Sequence, residues 1–422
     1  MRRFLFLQGP HGPFFAELGQ ALRDAGHSVS RMGVNGGDLA FWRDRSSYST
    51  IDAPPAEWPK YLTRRIDEDD ATDLVVYGDT RPLHAGAIEI AKARGLTVHC
   101  FEEGYLRPYW VTYERDGSNG NSALVDLTID DIDAALKNPA ANPAGAPSNW
   151  GEFWHHSYYG CRYHFEVWRK RKRFPHYQGH RNIALFDEAL LNLRRLVAAP
   201  GEALMRMSAT DALVRSARPY HVVLMQLAHD ANMREHSCYD GSRQFVEDVV
   251  AGFSNGAPDH HQLVFKAHPF EDGREAVPQA VADAAKRHGI SERVLYVHGG
   301  RLGRLLDRAR SAVTVNSTAA QQALWRGLPV KAFGRAIYDK PGITSPQALP
   351  AFFRDPTPPD RAIYRAFRQF LLETSQIPGG YYSAKGRRDV VRRVVDRMLA
   401  KTDPYLQLEV GKDTDQPKLR AV

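Results

Sequence analysis

Short apolar runs rich in β-branched and aromatic residues recur along the chain, most followed by a turn and a stretch with helical spacing. In the first half, residues 4–7, 27–32, 74–78 and 97–101 read as strands. An amphipathic helix over 14–25, stopped by Gly26, and a helix over 80–94 fall between them. In the second half, strands are expected at 220–225, 263–270, 294–297, 313–315 and 330–333. Strand-then-helix alternation predicts parallel sheets, so each half reads as a Rossmann-like α/β domain. Residues 138–147, dominated by Ala, Asn and Pro, mark a loop, and 150–215 look helical. The expected division is a first domain over 1–150, a bridging helical segment over 151–217 and a second domain over 218–385. A C-terminal helix over 386–401 would pack back on the first domain, and a polar tail over 402–422 would be disordered. Two Rossmann-like domains facing across a cleft describe the GT-B architecture, by analogy at the level of fold.

With 422 residues, 43% hydrophobic and 25% charged, the chain is an ordinary globular sequence with room for two cores. No apolar run reaches the ~18 residues a membrane span needs. The apolar start of the chain breaks at Gln8, which suits a first strand better than a signal peptide. Cys100, Cys161 and Cys238 are sparse and far apart, arguing for a reducing cytoplasm and against zinc. GxGxxG is absent, so no dinucleotide cofactor is indicated. The net charge of +7 is modest, and its placement matters more than its size.

Candidate chemistry gathers at expected strand ends, where open α/β sheets bind ligands. After the strand at 313–315, Asn316, Ser317 and Thr318 precede a ten-residue stretch suited to a helix. This reads either as a phosphate cradle or as an ordinary capped helix. The strand over 263–270 carries His268 and Pro269 at its end, and the imidazole reads either as a phosphate donor or as a strand-end His that caps a loop. Proline there restricts the preceding backbone and fixes where the imidazole points, toward the same crevice. Glu102 and Glu103 end another strand with side chains on opposite sides, which reads either as one carboxyl meeting substrate as general acid or base or as a solvated acidic turn. The segment that follows contains Tyr105 and Arg107, suited to sugars and acidic groups. Gln226 and Asp230 follow the first strand of the second domain, and a carboxylate there could attack an anomeric carbon or serve as a helix cap or turn residue. Gly9 and His11 hold the matching place in the first domain, where a ligand could approach the backbone. The Gly- and Tyr-rich stretch 376–382 reads as a loop closing over the cleft. Tyr158, Tyr159, Tyr163, Phe165 and Trp168, interleaved with Arg162, Arg169, Lys170, Arg171, Lys172 and Arg173, form one dense basic-aromatic segment. It suits an anionic membrane surface or a solvated helix face, and no nucleic-acid motif accompanies it.

Glu102-Glu103-Gly104, His268-Pro269 and Ser317-Thr318 resemble the motifs of bacterial CMP-sugar transferases. Beyond these, FLQGPHGPFF, FEEGYLRPYWVTYERDGSNGNS, HPF, NSTAAQQALWRGLPVKAFGRAIYD and QIPGGYYS make the chain similar to the S-type capsule polysaccharide biosynthesis and export proteins. The resemblance implies a retaining β-Kdo transferase using CMP-Kdo, with a phosphatidylglycerol lipid as acceptor. It implies that His268 and Pro269 bind CMP, with Ser317 and Thr318 on its phosphate, Glu103 as acid/base and Asp230 as nucleophile. Asn316, Gln226 and Lys266 join the donor set, and Gly9, His11, Arg107 and Tyr105 the acceptor set. No metal and no cofactor beyond the donor substrate is expected. The implied setting is the cytoplasmic face of the inner membrane, met through residues 158–173, with a second Kdo transferase and the capsule exporter as partners and no nucleic acid. Competing readings are another CMP- or CDP-donor transferase (sialyl or glycerophosphate) and a non-catalytic scaffold of the export complex.

Overall fold

The computed structural model describes residues 1–136, 153–177, 218–227, 231–268 and 275–403, together with the isolated positions 210, 211, 213, 215, 216, 271 and 405. Its strands are β1 (Arg3–Phe6), β2 (Ser28–Gly33), β3 (Tyr48–Thr50), β4 (Asp73–Tyr77), β5 (Thr97–Glu103), β6 (Trp110–Arg115), β7 (Tyr220–Leu224), β8 (Gln262–Lys266), β9 (Val294–Val297), β10 (Ser311–Thr314), β11 (Val330–Ala332) and β12 (Gln376–Pro378). They form two sheets, ordered β12-β6-β5-β4-β1-β2-β3 and β11-β10-β7-β8-β9. The second is parallel throughout, and the first is parallel except for β6 and β12. In each domain the first, second and third strands run outward one way and the fourth and fifth the other, the Rossmann order.

Burial on both faces explains the continuous apolar runs. Every residue of β4 is buried. Leu74 and Val76 join one core cluster with Leu62, Leu83 and Ile88, whereas Val75 and Tyr77 join another with Phe14, Leu18 and Val394. The helix Ala384–Leu399 thus returns to the first domain and packs on the helix Phe14–Asp24, with Arg387 Nε 2.9 Å from Glu17 Oε2. A third cluster joins the domains: Tyr105, Leu124 and Ile132 of the first meet Tyr220, Ala312, Phe367 and Phe370. This is the GT-B arrangement.

Four details differ from expectation. β6 and β12 are additional strands, both antiparallel and outside the strand–helix rhythm. Residues 376–378 therefore form an edge strand of the first sheet, not part of a closing loop, and the chain rejoins that sheet ahead of residue 385. The helix beyond Thr318 is short (Ala320–Trp325). The turn before it is closed by Ser317, whose Oγ accepts from Ala319 N at 3.2 Å. Finally, Asp403 and Tyr405 are buried, and Tyr405 stacks on Phe370 at 5.9 Å, so the ordered chain runs past 402.

Of the bridging segment, the described helix Phe153–Arg169 sits on the first domain, against the helix Gly36–Ala40. Glycine makes that contact possible: a Cβ on Gly36 would lie 2.4 Å from Glu166 O, and one on Gly37 2.5 Å from the Tyr163 ring. Tyr163 and Val167 are the residues it buries.

Candidate active site

The second sheet lines up its strand ends. Thr314, Leu224 and Lys266 lie in one row across β10, β7 and β8. Asn316, Gln226 and His268 therefore each stand two residues beyond it, around the point where the strand order reverses. Gln226 Nε2 donates to Asn316 Oδ1 at 2.8 Å, and Asn316 N donates to Gln226 Oε1 at 3.0 Å. Asn316 Nδ2 donates in turn to His236 O at 3.2 Å. Ser317 and Thr318 are half-buried beside them, and Tyr338 donates to Ser317 O at 2.7 Å. His268 is half-buried, whereas Lys266 is buried and its Nζ donates to Ala267 O at 2.8 Å. Asp230 and Pro269 lie outside the described residues.

In the first domain the reversal falls between β1 and β4, and the loops after these strands supply Gln8 and Asp79–Arg81. Glu102 and Glu103 stand at the end of β5, next to β4. Alternation sends their side chains to opposite faces. Glu103 Oε1 accepts from Tyr77 Oη at 3.1 Å. Glu102 turns toward Gly78, whose φ of +72° no side chain favours; a Cβ there would lie 3.3 Å from Glu102 Oε2. Burial raises the Glu102 carboxyl to about 7; the Glu103 N–H and Arg81 oppose the rise, and the charges of Glu103 and Asp79 add to it. Tyr381, buried against Phe14 and Tyr77, donates to Glu102 O at 2.7 Å, so the Gly-Tyr stretch clasps this pair from the core side.

Asp79 links the two strand-end clusters. It is buried and accepts from Ser118 N at 2.8 Å and Asn121 Nδ2 at 3.1 Å. A Cβ on Gly120, in that same turn, would lie 2.3 Å from the His236 ring. His236 is 7% exposed, its Nε2 has no hydrogen-bond partner among the described residues, and burial lowers its pKa. A neutral imidazole with an open nitrogen thus stands where the domains meet.

The acceptor set fares unevenly. Gly9 packs under the Phe15 ring, and His11 stacks on Tyr163 at 4.3 Å, both at the mouth of the first domain. Arg107 is exposed, its Nε donating to Gly104 O at 3.2 Å. Tyr105 is not a surface contact. It is 1% exposed and donates to Glu114 while accepting from Asn119 N at 2.6 Å, so it supports the 118–122 turn from within. Asp79, Arg81 and His236 escaped the sequence reading. For Asp79 and Arg81 the signal was present, since they directly follow a strand at a switch point; His236 offered none. Arg81 Nη1 donates to Gln8 Oε1 at 3.1 Å and its guanidinium lies 5.2 Å from the Tyr77 ring.

Two Rossmann-order domains with polar clusters at both switch points define a GT-B-type protein. The family model described as capsule polysaccharide biosynthesis protein matches residues 72–382, and the chain belongs to that family. It is 32% identical over 389 residues to the capsule polysaccharide export protein KpsS of Escherichia coli, covering 90% of this chain and 97% of that one. It is 31% identical over 390 residues to the capsule polysaccharide modification protein LipB of Neisseria meningitidis serogroup A, covering 90% and 91%. Among solved structures, the β-Kdo 2,7 transferase of Thermosulfurimonas dismutans KpsC is similar with a TM-score of 0.43 and 13% identity, over 94% of this chain and 99% of that one.

Proposed function

We propose that this protein is a capsule-assembly glycosyltransferase that moves Kdo from CMP-Kdo, with retention, onto a phosphatidylglycerol lipid. The observation that carries the reading is the meeting of two strand-end clusters. Glu102 and Glu103 stand at the end of β5, one strand from the first switch point, and the Gln226–Asn316 pair at the other, joined through Asp79 and His236. In this reading the second domain holds the CMP. Asn316, Ser317, Thr318 and His268 surround its phosphate, where fixed donors stabilise the leaving group without reorganising. Glu103 takes the proton of the acceptor hydroxyl. Glu102, whose carboxyl titrates at about 7, is partly protonated at neutral pH and so relieves the like-charge repulsion beside that base. Asp230 is the proposed nucleophile. The lipid would be met at the cytoplasmic face of the inner membrane through residues 158–173, and the product handed to a second Kdo transferase and the exporter.

The test is incubation of the purified chain with CMP-Kdo and a fluorescent phosphatidylglycerol, read by mass. A product heavier by one Kdo is expected. CMP binding without product would redirect the reading to another donor or acceptor, and neither binding nor product would sink it.

A further inference from the structure

Four large hydrophobic side chains on the helix Phe153–Arg169 face outward: Trp154 is 70% exposed, Tyr158 57%, Phe165 55% and Trp168 49%. Their spacing, with exposed Cys161 filling the interval, advances by four and three residues, so all five fall on one stripe. The helix's buried contacts, Tyr163 and Val167, lie on the opposite side. Exposed Arg162, Arg169, Arg171, Lys172 and Arg173 border the stripe, and Arg171 lies 5.1 Å from the Trp168 ring. A row of indole and phenyl groups edged by cations is the composition of an interfacial helix.

At the C-terminal end of this helix a cavity of about 520 Å³ opens between it and the sheet edge β3. Leu39, Arg45, Tyr48, Thr50, Arg169, Lys170 and Arg173 line it. Glu166 pairs with Arg169 at 2.7 Å and Lys170 at 2.9 Å, and Asp38, paired with Arg31, lies beneath Tyr48, which leaves the four cations of the lining with a net positive charge. The Tyr48 hydroxyl is buried and has no hydrogen-bond partner among the described residues. It points inward, to where a Cβ on Gly33 would lie and beside Asp38, so Tyr48 offers the cavity its ring and not its hydroxyl.

We infer that this cavity is a headgroup site for an anionic phospholipid, and that the Trp154–Trp168 stripe enters the bilayer beside it. A phosphodiester supplies several acceptor oxygens for the guanidinium and ammonium groups, which is the match the lining offers. The aromatic stripe on the same helix commits the phosphate to a lipid in a membrane. This extends the membrane contact proposed above, but it does not depend on the donor or on catalysis.

The full-length chain is tested by co-sedimentation with phosphatidylcholine vesicles with and without phosphatidylglycerol. Arg169→Glu/Arg173→Glu is expected to weaken binding to the anionic vesicles by about tenfold or more, and added salt to weaken it further. Tyr48→Phe should leave binding as it was, while Trp154→Ser/Trp168→Ser should lower binding to both vesicle types. Lys286→Glu/Arg354→Glu, the same charge change at exposed sites of the second domain, should leave binding as it was. Thermal melts check that each variant is folded, and CMP binding, measured separately, should be unaffected. The inference fails if the Arg169/Arg173 variant binds like the second-domain control. It fails also if soluble glycerol phosphate occupies the cavity while vesicles show no anionic preference. Indoles shielded from acrylamide in the vesicle-free protein would overturn it too, since the chain itself would then cover the stripe.

Discussion

Gln226 and Asn316, ninety positions apart, exchange two hydrogen bonds across the reversal of the second sheet, at 2.8 and 3.0 Å. Both are buried, so truncating Gln226 takes away the partner that Asn316 N and Oδ1 share. Such a loss costs about 1–3 kcal/mol. Gln226→Ala is therefore expected to lower the denaturant midpoint by a corresponding amount and to abolish the thermal shift produced by CMP. Retained CMP binding in a folded variant would remove this pair from the donor site.

The two carboxyls of β5 should separate in their pH behaviour. In the transfer reading, Glu103→Gln is expected to abolish turnover at every pH while CMP still binds. Glu102→Gln should retain part of the activity, and the change in rate expected of wild type near pH 7 should disappear. Stability gives an independent readout. The folded carboxyl titrates at about 7 against 4.5 unfolded, so between these values the native state holds the extra proton. That contribution is complete below pH 4.5 and is lost as pH rises through 7. Denaturation of wild type should show stability falling over this window, and Glu102→Gln should flatten the fall. A residual slope is expected from Glu114, which burial raises to about 7 as well.

Much of this was legible in the sequence because parallel strands buried on both faces write continuous apolar runs, and their ends mark where ligands bind. The 102–103, 226, 268 and 316–318 positions all follow such runs. β6 and β12 were not legible in the same way. They carry Thr, Glu, Gln and Pro, and their partners lie on antiparallel ladders, one across more than two hundred residues. Tyr105 was misread for a related reason. An aromatic beside a cationic residue suggests a sugar contact, but its hydroxyl has the buried Glu114 as partner, and that carboxylate lies on a strand that was not foreseen. His236 is a lone histidine, and only the tertiary contact with Gly120 gives it a place.

Tyr163 gathers the polar interior beneath the amphipathic helix. Its hydroxyl accepts from Gln8 Nε2 and Asn35 Nδ2, both at 2.8 Å, and donates to Asp38 Oδ1 at 3.2 Å. Asp38 is itself paired with buried Arg31 at 3.1 Å. Removing one member of such a network leaves several groups unsatisfied. Tyr163→Phe keeps the ring and is expected to cost about 1–3 kcal/mol. Limited proteolysis within 153–169 should become faster while CMP affinity stays unchanged, because the second domain is untouched. Proteolysis at the wild-type rate would show that packing of the ring alone holds the helix.

Lys340 ties the domains together. Its side chain is buried, and Nζ donates to Leu124 O at 2.7 Å, to Leu127 O and, at 3.4 Å, to Val125 O, all carbonyls of the first domain. Desolvation lowers its pKa to about 8 from 10.5, with Asp126, Asp339 and Asp131 opposing the shift. Between those values the unfolded chain binds more protons than the native one, so this group makes stability rise with pH from about 8 toward 10.5. Lys340→Met keeps the stem and removes the donors. At pH 7 it is expected to destabilise the protein by about 1–3 kcal/mol, as the three carbonyls lose their partner. Above pH 8 the variant should lack the rise that Lys340 contributes to wild type, so the gap between the two denaturation midpoints should widen from pH 8 to pH 10. A constant gap would mean that the ammonium keeps its ordinary pKa in the folded protein, and that the junction tolerates a charge there without cost.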